Sequence, residues 1–175
     1  ALIGAWAIYR QPDLRAFLPD PRLLQGVRSA AFGHHLLNLS LQIPGFALPV
    51  IVTAILSAEV NAAFYIAWMI ASFLFVLPTH LTLVVYAVGA ANRALLAQKV
   101  RFSLRLSFIG AVAANIALFI SADFILLIFG SEYTNEAATS LRLLGLAVLP
   151  ISVVVHYVAI CQVQDRIWEA ATWMV

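Results

Sequence analysis

Residues 60–92 read VNAAFYIAWMIASFLFVLPTHLTLVVYAVGAAN, and no charged side chain occurs between Glu59 and Arg93. A helix needs about 20 apolar residues to cross the hydrocarbon core of a bilayer, and this run exceeds that length. It does not alternate with period two over about ten residues, as a membrane strand would. The stretch is therefore read as a transmembrane helix, and its neighbours follow the same pattern. The run between Arg28 and Glu59 is equally free of charge. A third apolar run is broken only by Asp123 near its end, and a fourth follows Arg142.

The composition agrees. Apolar residues make up 63% of the chain and charged residues 10%, with a mean hydropathy of +0.97. A soluble domain carries about a quarter charged residues, because its surface must face water. The fold class expected is an all-α membrane protein, a polytopic helical bundle. Complete spans are expected at about 29–57, 61–91, 104–130 and 138–163. Residues 1–9 read as the end of a preceding transmembrane helix, 10–28 as a cytoplasmic interfacial linker, and 167–175 as the start of a further span. Leu14, Phe17, Leu18, Leu23 and Leu24 give the linker an apolar side, which suits a membrane surface.

The segments between spans alternate in charge. The linker carries Arg10, Arg15, Arg22 and Arg28, and 92–105 carries Arg93, Lys99, Arg101 and Arg105 without an acid. Glu59 is the one charge in the turn at 57–61, and 130–136 carries Glu132 and Glu136 without a base. By the positive-inside rule the basic segments 10–28 and 92–105 are cytoplasmic, in a multi-pass protein of the inner (plasma) membrane. Of the basic residues only Arg142 falls on the other side.

Polar residues inside the spans are the candidates for function. His34, Asn38, Gln42, Gly45 and Pro49 follow spacings of three and four, which places them within about 60 to 80 degrees on a helix. Pro44, Gly45 and Pro49 are expected to bend or break this helix, because proline removes a backbone bond and clashes with the preceding turn. Two readings stay open: a hinge lining a wet central cavity, or a kinked helix whose polar stripe bonds a neighbour. Tyr65, Ser72, Thr79 and Tyr86 form a second stripe around Pro78, read mainly as helix contact. His80 lies about 80 to 100 degrees off it. Arg142, Gly145, Ser152 and His156 fall within about 80 degrees on the fourth span, with Pro150 as its kink. We favour a lumen-facing position for His156. For Arg142 we favour snorkelling to the outer headgroups or a pair with Asp123. A cationic mouth leading to a histidine would also suit an anionic or sugar-bearing ligand.

Several function classes lack their sequence signals. There is no Walker glycine loop, HExxH or G-x-S-x-G elbow, so an enzyme is not expected. Cys161 is the single cysteine, and His34-His35 has no Cys or carboxylate at ligand spacing, so neither metal nor other cofactor is expected. The basic residues follow topology and do not interleave with aromatics, so nucleic acid is not an expected partner. Membrane lipids are, and Arg101 with Arg105 share a helix face suited to anionic headgroups.

Two stretches carry a family resemblance. They are LPVIVTAILSAEVNAAFYIAWMIAS at 48–72 and LFISADFILLIFGSEYTNEAATSLRLLGLAVLPISVVVHYVAICQ at 118–162. With the rhythm Phe129-Gly130, Glu132-Tyr133, Leu141-Arg142 and Pro150, this region resembles the polysaccharide and O-antigen flippases of the multidrug, oligosaccharidyl-lipid and polysaccharide exporter superfamily. The resemblance covers about residues 30–165. It implies a native protein of roughly twelve or more spans in two six-helix lobes that rock about a midplane site. This chain would supply the second lobe, the N-terminal lobe being its partner, and 10–28 would join the two. The implied substrate is a lipid-linked oligosaccharide or polysaccharide precursor, moved by alternating access. The substrate-cavity candidates are then His34, Asn38, Gln42, His80, Arg142, Ser152 and His156, with Pro44, Gly45, Pro49, Pro78 and Pro150 as hinges. The alternatives are a cation-coupled multidrug or small-solute exporter of the same superfamily, an intramembrane glycan polymerase or ligase, and a scaffold bundle without a cavity.

Overall fold

The computed structural model describes residues 21–174, with the backbone alone described at 21–26, 29–30 and 131–136. The expected helix end at 1–9 and the linker up to residue 20 lie outside the described residues, as does Val175. The described chain is a bundle of helices: α1 (Pro21–Ile55), α2 (Ala58–Ala91), α3 (Leu96–Leu127), α4 (Ser131–Leu146), α5 (Val148–Val163) and α6 (Ile167–Met174). One turn of 3₁₀ helix, Arg93–Leu95, joins α2 to α3. No strand occurs among the described residues.

Four segments are long and apolar enough to cross a membrane: Ala31–Ile55, Ala58–Ala91, Arg93–Leu127 and Ala137–Val163. The last combines α4 and α5. Among the described residues the chain is thus an all-α polytopic bundle. At 1.5 Å per residue, α2 is about 51 Å long, well beyond the roughly 30 Å hydrocarbon core. It must tilt or project into the headgroups.

Three boundaries differ from those read from the sequence. Residues 21–28 belong to α1. The basic segment 92–105 is mostly helix, and the turn is confined to Asn92–Leu95. There the Asn92 side-chain oxygen accepts from the Ala94 N–H at 3.0 Å. Leu, Ala, Gln, Lys and Arg after it are good helix formers, so α3 starts early and carries Lys99, Arg101 and Arg105 on its first turns. The acidic segment 130–136 likewise starts α4 at Ser131, after Gly130 with φ 131°. The turn at Ser57 falls where expected, with its hydroxyl accepting from the Val60 N–H at 3.1 Å.

Proline acts differently in the different helices. α1 runs uninterrupted through Pro44 and Pro49, and α2 through Pro78. Between α4 and α5 the chain does break, at Ala147. Pro150 has no N–H for the Leu146 carbonyl, and the Ala147 N–H turns back to the Leu144 carbonyl at 3.1 Å.

α2 lies at the centre, packed on α1, α3, α4 and α5, while α1 also leans on α6. Small side chains set the approach. Ala63, Ala67 and Ala71 of α2 meet Leu118, Ala122 and Leu126 of α3 and Ala137, Ala138 and Leu141 of α4. With lipid as solvent, such stripes let backbones come close and gain dispersion contact. α3 shows the period directly, burying Ser103, Ser107, Ala111, Asn115, Leu118, Ala122 and Leu126. Its opposite face carries Phe102, Ile109, Ile116, Ile120 and Phe124, all exposed, with Ile120 at 81%. An apolar face of that extent suits lipid rather than water.

The turns fall at two ends of the bundle. At one end Arg93, in the α2–α3 turn, donates to Asp165, in the α5–α6 turn, at 2.7 Å. Asp165 takes a left-handed backbone, φ 60°, which Asp tolerates better than most residues. Next to it Arg166 forms a paired contact with Glu169, which pushes its guanidinium further towards the charged form. Glu59, Asp123 and Arg142 lie towards the other end.

Candidate functional site

α1 touches α2 and α6 but does not close fully against α2 and α5, which leaves a cleft in two connected parts. The larger, of about 930 Å³, lies mid-helix and is walled by Phe46, Trp68, Phe75, Tyr157 and Trp173, with Ser40, Gln42 and Thr79 as its polar members. The smaller, about 320 Å³, lies towards the basic end and holds His34, Asn38, Thr82, Tyr86 and Gln162. Leu41, Thr79 and Val155 line both.

The stripe on α1 therefore faces this cleft. Asn38 lines the smaller chamber, Gln42 the larger, and His34 Nδ1 lies 3.4 Å from the Gln162 Nε2 across from it. Pro44 and Gly45 also line the larger chamber. Pro44 leaves the Ser40 carbonyl, and Pro49 the Gly45 carbonyl, without its ordinary helical donor. Ser40 and Gly45 are both cleft residues, so the carbonyls that proline deprives of their helical donor belong to positions that line a cavity. The expected stripe of the second span is divided: Thr79 and Tyr86 reach the cleft, while the Ser72 hydroxyl bonds the Met69 carbonyl at 2.6 Å. Pro78 is buried within α2. His80 is exposed, with its Nδ1 2.8 Å from the Val76 carbonyl, and lines neither chamber.

The polar residues of the fourth span lie elsewhere. His156 is 2% exposed between α5 and α3. Its Nδ1 is 2.6 Å from the Ser152 carbonyl and its Nε2 2.7 Å from the Ser103 hydroxyl. A carbonyl only accepts, so Nδ1 carries a hydrogen, and in the neutral ring Nε2 accepts from Ser103. Ser152 is buried beside it and donates to the Val148 carbonyl at 2.7 Å. This face is a helix contact, and the lumen-facing position expected for His156 is not where the structure places it. The angular reading grouped these residues correctly, but the face they share packs on α3. Arg142 makes the pair weighed for it, donating to Asp123 at 2.9 Å with its guanidinium 6.0 Å from the Phe119 ring centroid. Pro150 is exposed, next to the break at Ala147.

Tyr157, Gln162, Trp68 and Trp173 were not singled out from the sequence. Gln162 is the last strongly polar residue of an otherwise apolar run, which is a signal in hindsight, but its approach to His34 spans 128 positions. Tyr157 has its hydroxyl 3.1 Å from Glu169, tying α5 to α6. Among the described residues, no three His, Cys, Asp or Glu side chains gather as metal ligands would. In comparisons with known proteins, no family model, no curated protein and no solved structure matches the chain.

Proposed function

We propose that this chain is a lobe of a membrane transporter that moves a lipid-linked oligosaccharide or polysaccharide precursor from the cytoplasmic to the outer leaflet. The observation that carries the reading is the α1 stripe: His34, Asn38 and Gln42 line a cleft, where among the described residues only His34 reaches a side chain across it, the Gln162 amide at 3.4 Å. Polar side chains at membrane depth are costly and tend to mark substrate pathways. The cleft runs from mid-helix to the basic end, which the positive-inside rule assigns to the cytoplasm. That is the course a sugar head would follow from the inner leaflet while its lipid tail stays in the bilayer. The resemblance to polysaccharide flippases points the same way.

No chemistry is needed for this activity. Binding in the cleft and a change of access suffice, with helix bending at Pro44, Pro49 and the Ala147–Pro150 break. The scaffold reading also has support, since His156 and Arg142 both partner neighbouring helices. The two separate on one experiment. Asn38→Ala with Gln42→Ala, in the full-length protein at matched membrane levels, should lower glycan export at least about tenfold, the loss of one to two hydrogen bonds. His80→Ala, outside both chambers, should leave it unchanged. Unchanged export in the double variant would favour the scaffold.

A further inference from the structure

We infer that the lipid-facing side of α3 holds an anionic phospholipid from the leaflet at the basic end of the bundle. Arg101 and Arg105 take its phosphate, and Ile109, Val112 and Ile116 carry an acyl chain. The inference is independent of what the chain transports.

The first ground is register. At about 100 degrees per residue, Gln98, Arg101, Arg105, Ile109, Val112 and Ile116 fall within a sector of about 80 degrees on α3. All six are exposed. The opposite side of the helix, with Ser103, Ser107 and Ala111, is the one buried against the bundle. Along the axis the order is an amide, two cations, then three branched apolar side chains. From Arg105 to Ile116 is about 16 Å, close to the depth of one hydrocarbon leaflet, about 15 Å. A phospholipid has the same order, a polar head and charged phosphate above an apolar tail.

The second ground is charge. No Asp or Glu occurs between Glu59 and Asp123, and both of those lie towards the other end. The basic end carries Arg28, Arg93, Lys99, Arg101, Arg105 and Arg166 against Asp165 and Glu169. Those two acids are already engaged, Asp165 by Arg93 and Glu169 by Arg166. Residues 1–27 bring Arg10, Arg15 and Arg22 against Asp13 and Asp20, so taken whole they add to the surplus and do not cancel it.

The third ground is the pose of Arg101. Its Nε donates to the Ala97 carbonyl at 3.2 Å, which draws the side chain back along the helix towards the basic end, where headgroups lie. A guanidinium meets a phosphate with two parallel donors, and each cation near an anionic leaflet strengthens attachment about fivefold. A zwitterionic lipid brings its own ammonium to the same surface and gains less.

The test is native mass spectrometry of the full-length protein in detergent, with phosphatidylglycerol and phosphatidylcholine of the same acyl chains in equal amounts. Phosphatidylglycerol should be the lipid retained. Arg101→Gln and Arg105→Gln should each lower its retention about fivefold. Lys99→Gln removes the same charge from a position about 120 to 160 degrees round the helix, and should lower it less than about twofold. Phosphatidylglycerol with a diazirine in its chain should label the unmodified protein in nanodiscs between residues 106 and 117. Millimolar glycerol phosphate should not displace it. Equal retention of the two lipids, or equal losses from Lys99→Gln and Arg101→Gln, would overturn the inference. So would labelling confined to other helices, or displacement by glycerol phosphate, which would mark a site for free phosphate. The labelling is read on the unmodified protein, so it decides the matter even where a variant folds poorly.

Discussion

The Nε2 of His156 lies 2.7 Å from the hydroxyl of Ser103, sealed where α5 packs on α3. With Ser152 beneath it, this is a small polar seam inside an otherwise apolar contact. It fixes α3 against α5 and so holds one wall of the cleft in place. Ser103→Ala leaves the ring nitrogen without its donor. The expected loss is about 1 kcal/mol, between the usual cost of an unmet buried acceptor and the smaller average for membrane helices. Thermal unfolding in detergent reads it. Combined with His156→Phe, the loss should be less than the sum of the single losses. Activity per folded molecule should not change.

At Gly145 α4 packs tightly on α3. A Cβ there would lie 2.7 Å from the Leu118 Cδ2 and 2.8 Å from the Asn115 Oδ1. Asn115 is buried, its amide N–H donates to the Ala111 carbonyl at 2.9 Å, and it has little room to withdraw. Gly145→Ala should destabilise the bundle by about 1–3 kcal/mol through overpacking, seen as a lower melting temperature. Gly45→Ala is the contrast, since its Cβ would meet only Trp68 at 3.7 Å, an ordinary contact.

Pro150 has a different part to play. With Pro150→Ala, the N–H returned to position 150 can reach the Leu146 carbonyl, and α4 and α5 should join into one helix. Amide exchange at 147–151 should slow, with stability unchanged or slightly higher. If the break serves as a hinge, transport should fall although folding does not.

Cysteine reporters test the sidedness. Cys161 is the single cysteine in this sequence and is buried, so this lobe adds little background. Asn92→Cys should react with a membrane-impermeant maleimide only in inverted vesicles, and Glu59→Cys only in intact cells. The reverse pattern would invert the orientation and move the polar chamber to the outer side.

Much of the fold was legible in the sequence because lipid imposes simple demands. Charge-free runs longer than the bilayer is thick had to be helices, and Ser57 marked a turn that the structure places there. The start of α3 was less legible. Lys99, Arg101 and Arg105 mark the water side of a boundary, but they do not stop a helix, and their own propensity carries α3 back to Leu96. The site was legible by halves. Spacing alone aligned His34, Asn38 and Gln42 on one face, and that face lines the cleft. The same geometry aligned Ser152 with His156, but angular position cannot say whether a neighbour covers a face. Here Ser103 covers it. Tyr86 and Gln162 meet His34 and Asn38 only through tertiary packing of distant segments, which no local pattern encodes.

The most direct test of the central claim is on cells depleted of the full-length protein. Lipid-linked glycans would be extracted and assigned to a membrane face by their accessibility to an impermeant glycan-modifying enzyme. The account predicts that intact precursor builds up on the cytoplasmic face. Normal export, with no trapped precursor, would contradict it.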